Sequence, residues 1–280
     1  MSQGLSTTEV ARYGRDGVLF PRPAVGEAAA RELLSRFEAL ERRDGGKISR
    51  KTNHKPHLLL TWLADLVRDP KILDPVEALL GPDILCWATD FFVKNPGDNK
   101  RVTWHQDSTY WGLSSPDVVT AWIAFTPSTP QSGCLRVVPG SHLKDQLPHR
   151  DTFAADNLLS RGQEVAVKVD EKDAVDVVLA PGEMSLHSVR LVHGSEPNRA
   201  QHRRIGFAIR YIPTSIRQLN GTADTAMLVR GKDTHGHFAP EPSPAADFHP
   251  DAVKFHSENY DQHMNILYAG AAQRPDKVAG

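Results

Sequence analysis

The stretch WHQDSTYWGL, residues 104–113, sets an imidazole and a carboxylate two positions apart, at His105 and Asp107. In an extended strand, residues i and i+2 project to the same side. His105 and Asp107 can therefore aim at one point inside a barrel while Gln106 points away. A mononuclear non-haem iron(II) site uses two histidines and one carboxylate on one face of the metal and keeps the remaining positions open. The same H-x-D spacing recurs at His149-Arg150-Asp151 and at His249-Pro250-Asp251, so spacing alone does not choose among the three.

Context chooses. The third ligand has to come from a strand distant in sequence and adjacent in space. Between His105 and the histidine-bearing run SLHSVRLVHGSEPN lie the strand-like segments DVVTAWIAF, CLRVV, EVAVKV and VDVVLA. His149 sits in polar KDQLPHRDTFAADN, and His249 has a proline inside its motif and no strand-like run around it. Both read as loop or capping residues. In LHSVRLVHGS, one alternating strand would put His187 and His193 on the same side. His193 is the expected distal ligand because it ends beside Gly194, where a backbone can pass close to a metal, whereas His202 lies in the polar turn EPNRAQHRR. Eleven positions after His193, Arg204 opens RRIGFAIRYIP. An inward guanidinium in an apolar barrel is costly unless it meets an anion, and its planar fork suits a carboxylate. Its alternation partners Gly206 and Ala208 are expected to leave room for a bound molecule, and Arg203 is expected to face solvent.

The elements that must position these residues follow from texture. In GEAAARELLSRFEALERRDGG, Leu33, Leu34, Phe37 and Leu40 share one helix face. A second helical region, HLLLTWLADLVRD, leads into DPVEALLG, where Pro75 suits a first turn and Gly81 a C-terminal cap. From residue 83, short segments rich in Val, Ile and aromatics alternate with turn signals such as NPGDN and APGE. This predicts a mainly β core, barrel or sandwich, with flanking helices. One domain is expected, with helical support over 1–82, the β core over 83–214 and a polar, Pro-rich extension over 215–280 wrapped on it as loop.

Bulk properties narrow the partners. The 33 Lys and Arg nearly balance the 34 Asp and Glu, with no basic block of the kind that tracks nucleic acid. No apolar run approaches the roughly 20 residues that span a bilayer, and MSQGLSTTEV carries no signal-like stretch, so the expected address is the cytoplasm. Cys86 and Cys134 are too few for a disulfide framework and read as buried free thiols.

Taken together, W-H-Q-D, A-W-I-A-F, G-C-L-R-V-V-P-G-S-H, P-G-E-M-S-L-H, and H-G-S with an arginine eleven after its histidine resemble the phytanoyl-CoA dioxygenase family of Fe(II)/2-oxoglutarate oxygenases, over roughly residues 84–213. The resemblance implies a double-stranded β-helix (jelly-roll, cupin-like). It implies Fe(II) held by His105, Asp107 and His193, and the distal carboxylate of 2-oxoglutarate held by Arg204 and Ser195. Lys94 and Trp122 match further cosubstrate positions, against plainer readings as a snorkelling lysine and a core aromatic. The chemistry implied is oxidative decarboxylation of 2-oxoglutarate with O2, coupled to oxidation of a substrate C–H bond. Related halogenases carry a small residue in place of the claw carboxylate, so Asp107 favours hydroxylation or another oxidation over chlorination. Tyr110, Trp111 and His187 are candidate substrate-pocket residues, and Arg136 pairs either with a substrate anion or with a surface carboxylate. A small molecule, of the secondary-metabolite kind in the family's manner, is the expected substrate. The alternative is a catalytically silent cupin-like metal binder or sensor, which has no reason to keep Arg204 and Ser195.

Overall fold

The computed structural model describes residues 4–167, 169–220 and 224–272, with the side chains of residues 109 and 110 also left out. The N-terminal third is helical around one strand: α1 (Thr7–Asp16), β1 (Val18–Pro23), α2 (Glu27–Arg43), α3 (Arg50–Asn53), α4 (Thr61–Leu66) and α5 (Pro70–Leu80). Helix α2 buries Ala30, Leu33, Phe37 and Leu40, the apolar stripe legible in its sequence. Helix α5 begins five residues earlier than expected. Asp69 caps it by accepting from Lys71 N–H, Pro70 takes the first turn, and Pro75 lies inside the helix; Gly81 ends it with φ 87°.

The strands are β2 (Ile84–Lys94), β3 (Val102–His105), β4 (Val119–Ala124), β5 (Leu135–Val137), β6 (His149–Arg150), β7 (Glu164–Val165), β8 (Val175–Val177), β9 (Glu183–Ser188), β10 (His193–Ser195), β11 (Arg204–Pro213), β12 (Thr225–Arg230) and β13 (Ala239–Pro240). A seven-stranded sheet runs β1-β9-β4-β11-β2-β12-β13, and a four-stranded sheet runs β3-β10-β5-β8. Together they form the expected double-stranded β-helix. The major sheet is covered on one face by the N-terminal helices: Ile205, Phe207, Ile209 and Tyr211 of β11 join Phe37, Leu63 and Ile72 in one buried cluster. Alternation then turns Arg204, Gly206, Ala208 and Arg210 to the interior between the sheets.

Two expectations fail here. LHSVRLVHGS is not one strand: β9 ends at Ser188, Leu191 N–H turns back to Ser188 O, and β10 begins at His193 in the other sheet. The C-terminal extension is not loop alone. Strand β12 adds to the major sheet against β2, and an eighteen-residue helix, α6 (Pro250–Leu267), packs its Ala252, His256, His263, Met264 and Ile266 inward. No helix among the described residues is long and apolar enough to cross a membrane. Cys86 and Cys134 are buried and free.

Candidate metal centre and cosubstrate pocket

Strand β3 stops at His105, two residues short of completing the expected i, i+2 pair, and Asp107 opens a 3-10 turn. The turn is pinned by Asp107 N–H donating to Val189 O at 3.0 Å, which brings the carboxylate back to the side of His105. His193 on β10 is the register partner of His105 on β3. One ligand atom each from His105, Asp107 and His193 fit within 4.8 Å of one another. His105 Nδ1 lies 2.9 Å from Thr103 O, and His193 Nδ1 lies 2.8 Å from Leu191 O. A carbonyl only accepts, so both rings carry their proton on Nδ1 and keep the Nε2 lone pair for a metal. Burial pushes His193 down to about 3, with His105 acting the same way. Burial alone would raise Asp107, but the imidazoles of His105 and His193 beside it hold its carboxyl well below the usual range. Two neutral imidazoles and a carboxylate make the donor set that suits iron(II).

Gln106 does point away from this centre, yet into protein. It is fully buried, giving Nε2 to Arg190 O at 2.7 Å and accepting from Leu147 N–H at 2.8 Å. Its backbone N–H donates to His149 Nε2 at 2.9 Å, and His149 Nδ1 faces Leu147 O at 2.7 Å. His149 is therefore neither ligand nor loop bystander: it grips the peptide that joins two ligands. No spacing rule in the sequence signals this. His249 caps α6, accepting from Asp251 N–H, one of the two plain roles read for it.

The interior column of β11 continues the site. Arg204 is 2% exposed, burial brings its guanidinium down to about 10, and its Nε has no protein partner. The guanidinium lies 5.2 Å from the Trp122 ring centroid. A Cβ on Gly206 would stand 1.9 Å from Trp122 Cζ2, so the space left by this glycine is filled by Trp122 and not by a ligand. Lys94 pairs with Arg204 across β2 and β11 and is fully buried, so it does not snorkel. Its Nζ donates to Ser195 Oγ at 2.6 Å. Burial, with Arg204 beside it, pushes the ammonium down to about 6. Arg203 is not solvated as expected: it makes a two-point pair with Glu41 of α2 at 2.7 Å on each arm.

A cavity of about 280 Å³ joins these groups: His105, Asp107, His193, His187, Ser195, Arg204 and Trp122 all line it. The rest of its lining includes Trp87, Asp90, Trp111 and Arg210, residues 158–160, His263, Met264 and Leu267 of α6, and Tyr268 just after that helix. Trp111 is buried 5.1 Å from Trp87 between ring centroids, where a pocket residue was expected. His187 is buried 5.2 Å from His193, and burial pushes it down to about 4. The Tyr110 side chain lies outside the described residues. Arg136 does not face the cavity. Its neighbours Leu135 and Val137 are buried, so alternation turns it outward, where it pairs with Glu171 at 2.9 Å and Asp176 at 3.4 Å. Asp90, Arg210 and the α6 residues were missed. Arg210 was within reach, since it extends the 204, 206, 208 alternation by one step.

A family model described as phytanoyl-CoA dioxygenase (PhyH) matches residues 13–206. A probable alpha-ketoglutarate-dependent hypophosphite dioxygenase of Stutzerimonas stutzeri is 27% identical over 238 residues, covering 82% of this chain and 80% of its own. Among solved structures, the non-heme monooxygenase ThoJ in its apo form is 35% identical, with 92% of this chain and 96% of that chain covered and a TM-score of 0.82. CytC3 with Fe(II) and alpha-ketoglutarate is 27% identical, with 89% and 98% covered and a TM-score of 0.65.

Proposed function

The chain belongs to the phytanoyl-CoA dioxygenase family of iron(II)- and 2-oxoglutarate-dependent dioxygenases, and on that premise we propose that it hydroxylates, or otherwise oxidises, a C–H bond of a small organic molecule. In this reading, His105 and His193 hold iron through Nε2 and Asp107 through a carboxylate oxygen. Arg204 and Ser195 take the distal carboxylate of 2-oxoglutarate, Trp122 flanks the guanidinium, and Lys94 fixes the Ser195 hydroxyl. The bound metal and cosubstrate supply oxygen activation, with 2-oxoglutarate leaving as succinate and carbon dioxide. The chain's residues supply position and exclusion of water: Trp87, Trp111 and α6 help to enclose a cavity whose size suits a small substrate beside the cosubstrate.

The observation that carries this reading is Arg204. A buried guanidinium with an unpartnered Nε, on the wall of the cavity that holds the three ligands, calls for an anion there. A protein that only stored or sensed a metal would have no use for it. Anaerobic addition of Fe(II) and 2-oxoglutarate should give the weak visible charge-transfer band of a chelated keto acid, absent with succinate. In air, succinate release across a panel of small molecules should be stimulated by one compound class. No band at saturating concentrations would return the protein to the storage or sensor reading.

A further inference from the structure

Four cavity-lining residues carry a buried side-chain polar atom without a protein partner: Arg204 Nε, Arg210 Nε, Thr120 Oγ1 and His187 Nδ1. Such atoms are few in native interiors, because each has given up its hydrogen bonds to water. Arg204 is accounted for by the cosubstrate. The other three are not scattered. Arg210 of β11 is the register partner of Thr120 on β4, and Thr120 is the register partner of His187 on β9. Residues paired directly across a sheet project to the same side, so the three form one row across neighbouring strands. Thr120 and His187 are 2% exposed and Arg210 is 7% exposed. His187 places one end of the row next to His193. At the other end, Arg210 pairs with Asp90 through Nη1 and lies 5.7 Å from the Phe92 and Trp111 ring centroids. The guanidinium is thus held in place with its Nε–H uncommitted.

A guanidinium N–H and a hydroxyl donate, and an imidazole Nδ1 donates in one of its tautomers. The ligand that satisfies all three is an oxygen acceptor with several lone pairs, and a charged donor favours an anionic one. We propose that Arg210, Thr120 and His187 form a second carboxylate-binding subsite, separate from the Arg204 pocket. The carboxylate comes either from the molecule to be oxidised or from the metal-proximal end of the cosubstrate. The inference rests on the reading of this cavity as a metal and 2-oxoglutarate site.

The test uses nickel(II)-loaded protein, which binds without turnover. It is titrated calorimetrically with 2-oxoglutarate and then, at saturating 2-oxoglutarate, with amino acids and simple carboxylic acids beside their amides and methyl esters. Thr120→Val keeps the shape and removes the hydroxyl; Arg210→Lys keeps a charge for Asp90 and removes the Nε–H. Both should weaken carboxylate binding by roughly tenfold to a hundredfold, the worth of one hydrogen bond to a charged group. A loss in the first titration assigns the row to the cosubstrate. A loss confined to the second, with amides and esters bound poorly by the parent, assigns it to the substrate. Unliganded Thr120→Val should melt no lower than the parent, since the hydroxyl it removes has no partner; a clear drop in Tm would mark Thr120 as structural and overturn the proposal. So would affinities within twofold of the parent in both titrations, or a parent that binds no carboxylate in either. The oxygenase reading stands or falls separately, on succinate release by the iron-loaded parent.

Discussion

Arg203 and Arg204 are neighbours with opposite fates, and the contrast makes a test. Arg204→Ala would leave the distal carboxylate of 2-oxoglutarate buried and unpaired, a loss of about 3 to 5 kcal/mol, or on the order of a hundredfold to a few thousandfold in cosubstrate affinity. Metal binding should survive. Arg203→Ala breaks the two-point pair with Glu41 instead, so it should lower Tm and leave cosubstrate affinity within about twofold. Equal losses of affinity in the two variants would dismiss the assignment. Gly206→Ala forces Trp122 off the Arg204 guanidinium, because no Cβ fits at 1.9 Å from its ring. It should weaken 2-oxoglutarate binding without metal loss and change the tryptophan fluorescence. His149→Ala removes the acceptor behind the Gln106 peptide. Support of this kind is worth about tenfold to a hundredfold in metal affinity, which a cobalt(II) titration would read, with His249→Ala, half-buried at the start of α6 and no part of the centre, as the unchanged control. These residues differ in how well the sequence announced them. His105, Asp107, His193 and Arg204 are set by chemistry that admits few residue types, whereas His149 acts on a backbone N–H, and any acceptor brought there by the fold would look as ordinary in sequence.

At the scale of elements, legibility followed burial. Strands β2, β4 and β11 have paired neighbours on both sides and read as Val, Ile and aromatic runs. Helix α6 was invisible because its inward face is largely histidine and alanine, held by polar contacts: His256 Nε2 lies 2.6 Å from His54 O, and His263 Nδ1 lies 3.3 Å from Asp224. Strand β1 was hidden by its two prolines, and its place at the sheet edge is what tolerates them. The C-terminal end of α6 is clamped by Arg161, whose Nη1 donates to Leu267 O at 3.3 Å and Ala269 O at 3.2 Å. Arg161→Ala should accelerate amide hydrogen exchange over residues 263–269 while leaving β11 protected. Uniform acceleration would mean that the clamp supports the whole fold and not the helix end.

For the molecule as a whole, Lys94 ties stability to pH. Its folded value of about 6 lies below the ordinary 10.5, so between those limits the unfolded chain holds a proton that the folded protein does not. The cosubstrate-free protein should therefore lose stability from this group as pH falls from about 10.5 towards 6, and Lys94→Met should flatten that slope in urea titrations at several pH values. A parent and variant with the same slope would show that the buried ammonium stays charged. The arrangement of the cavity also bears on how such proteins diverge. His193 of the metal centre and Arg204, the residue proposed to hold the cosubstrate, stand on strands β10 and β11, each hydrogen-bonded on both sides. Much of the remaining lining comes from α6, from Tyr268 just after it and from residues 158–160, and Tyr268 Oη donates to Ser160 O to tie these two parts to each other. Substitutions in α6 and in residues 158–160 can therefore alter what the cavity admits while leaving β10 and the start of β11, with His193 and Arg204, untouched.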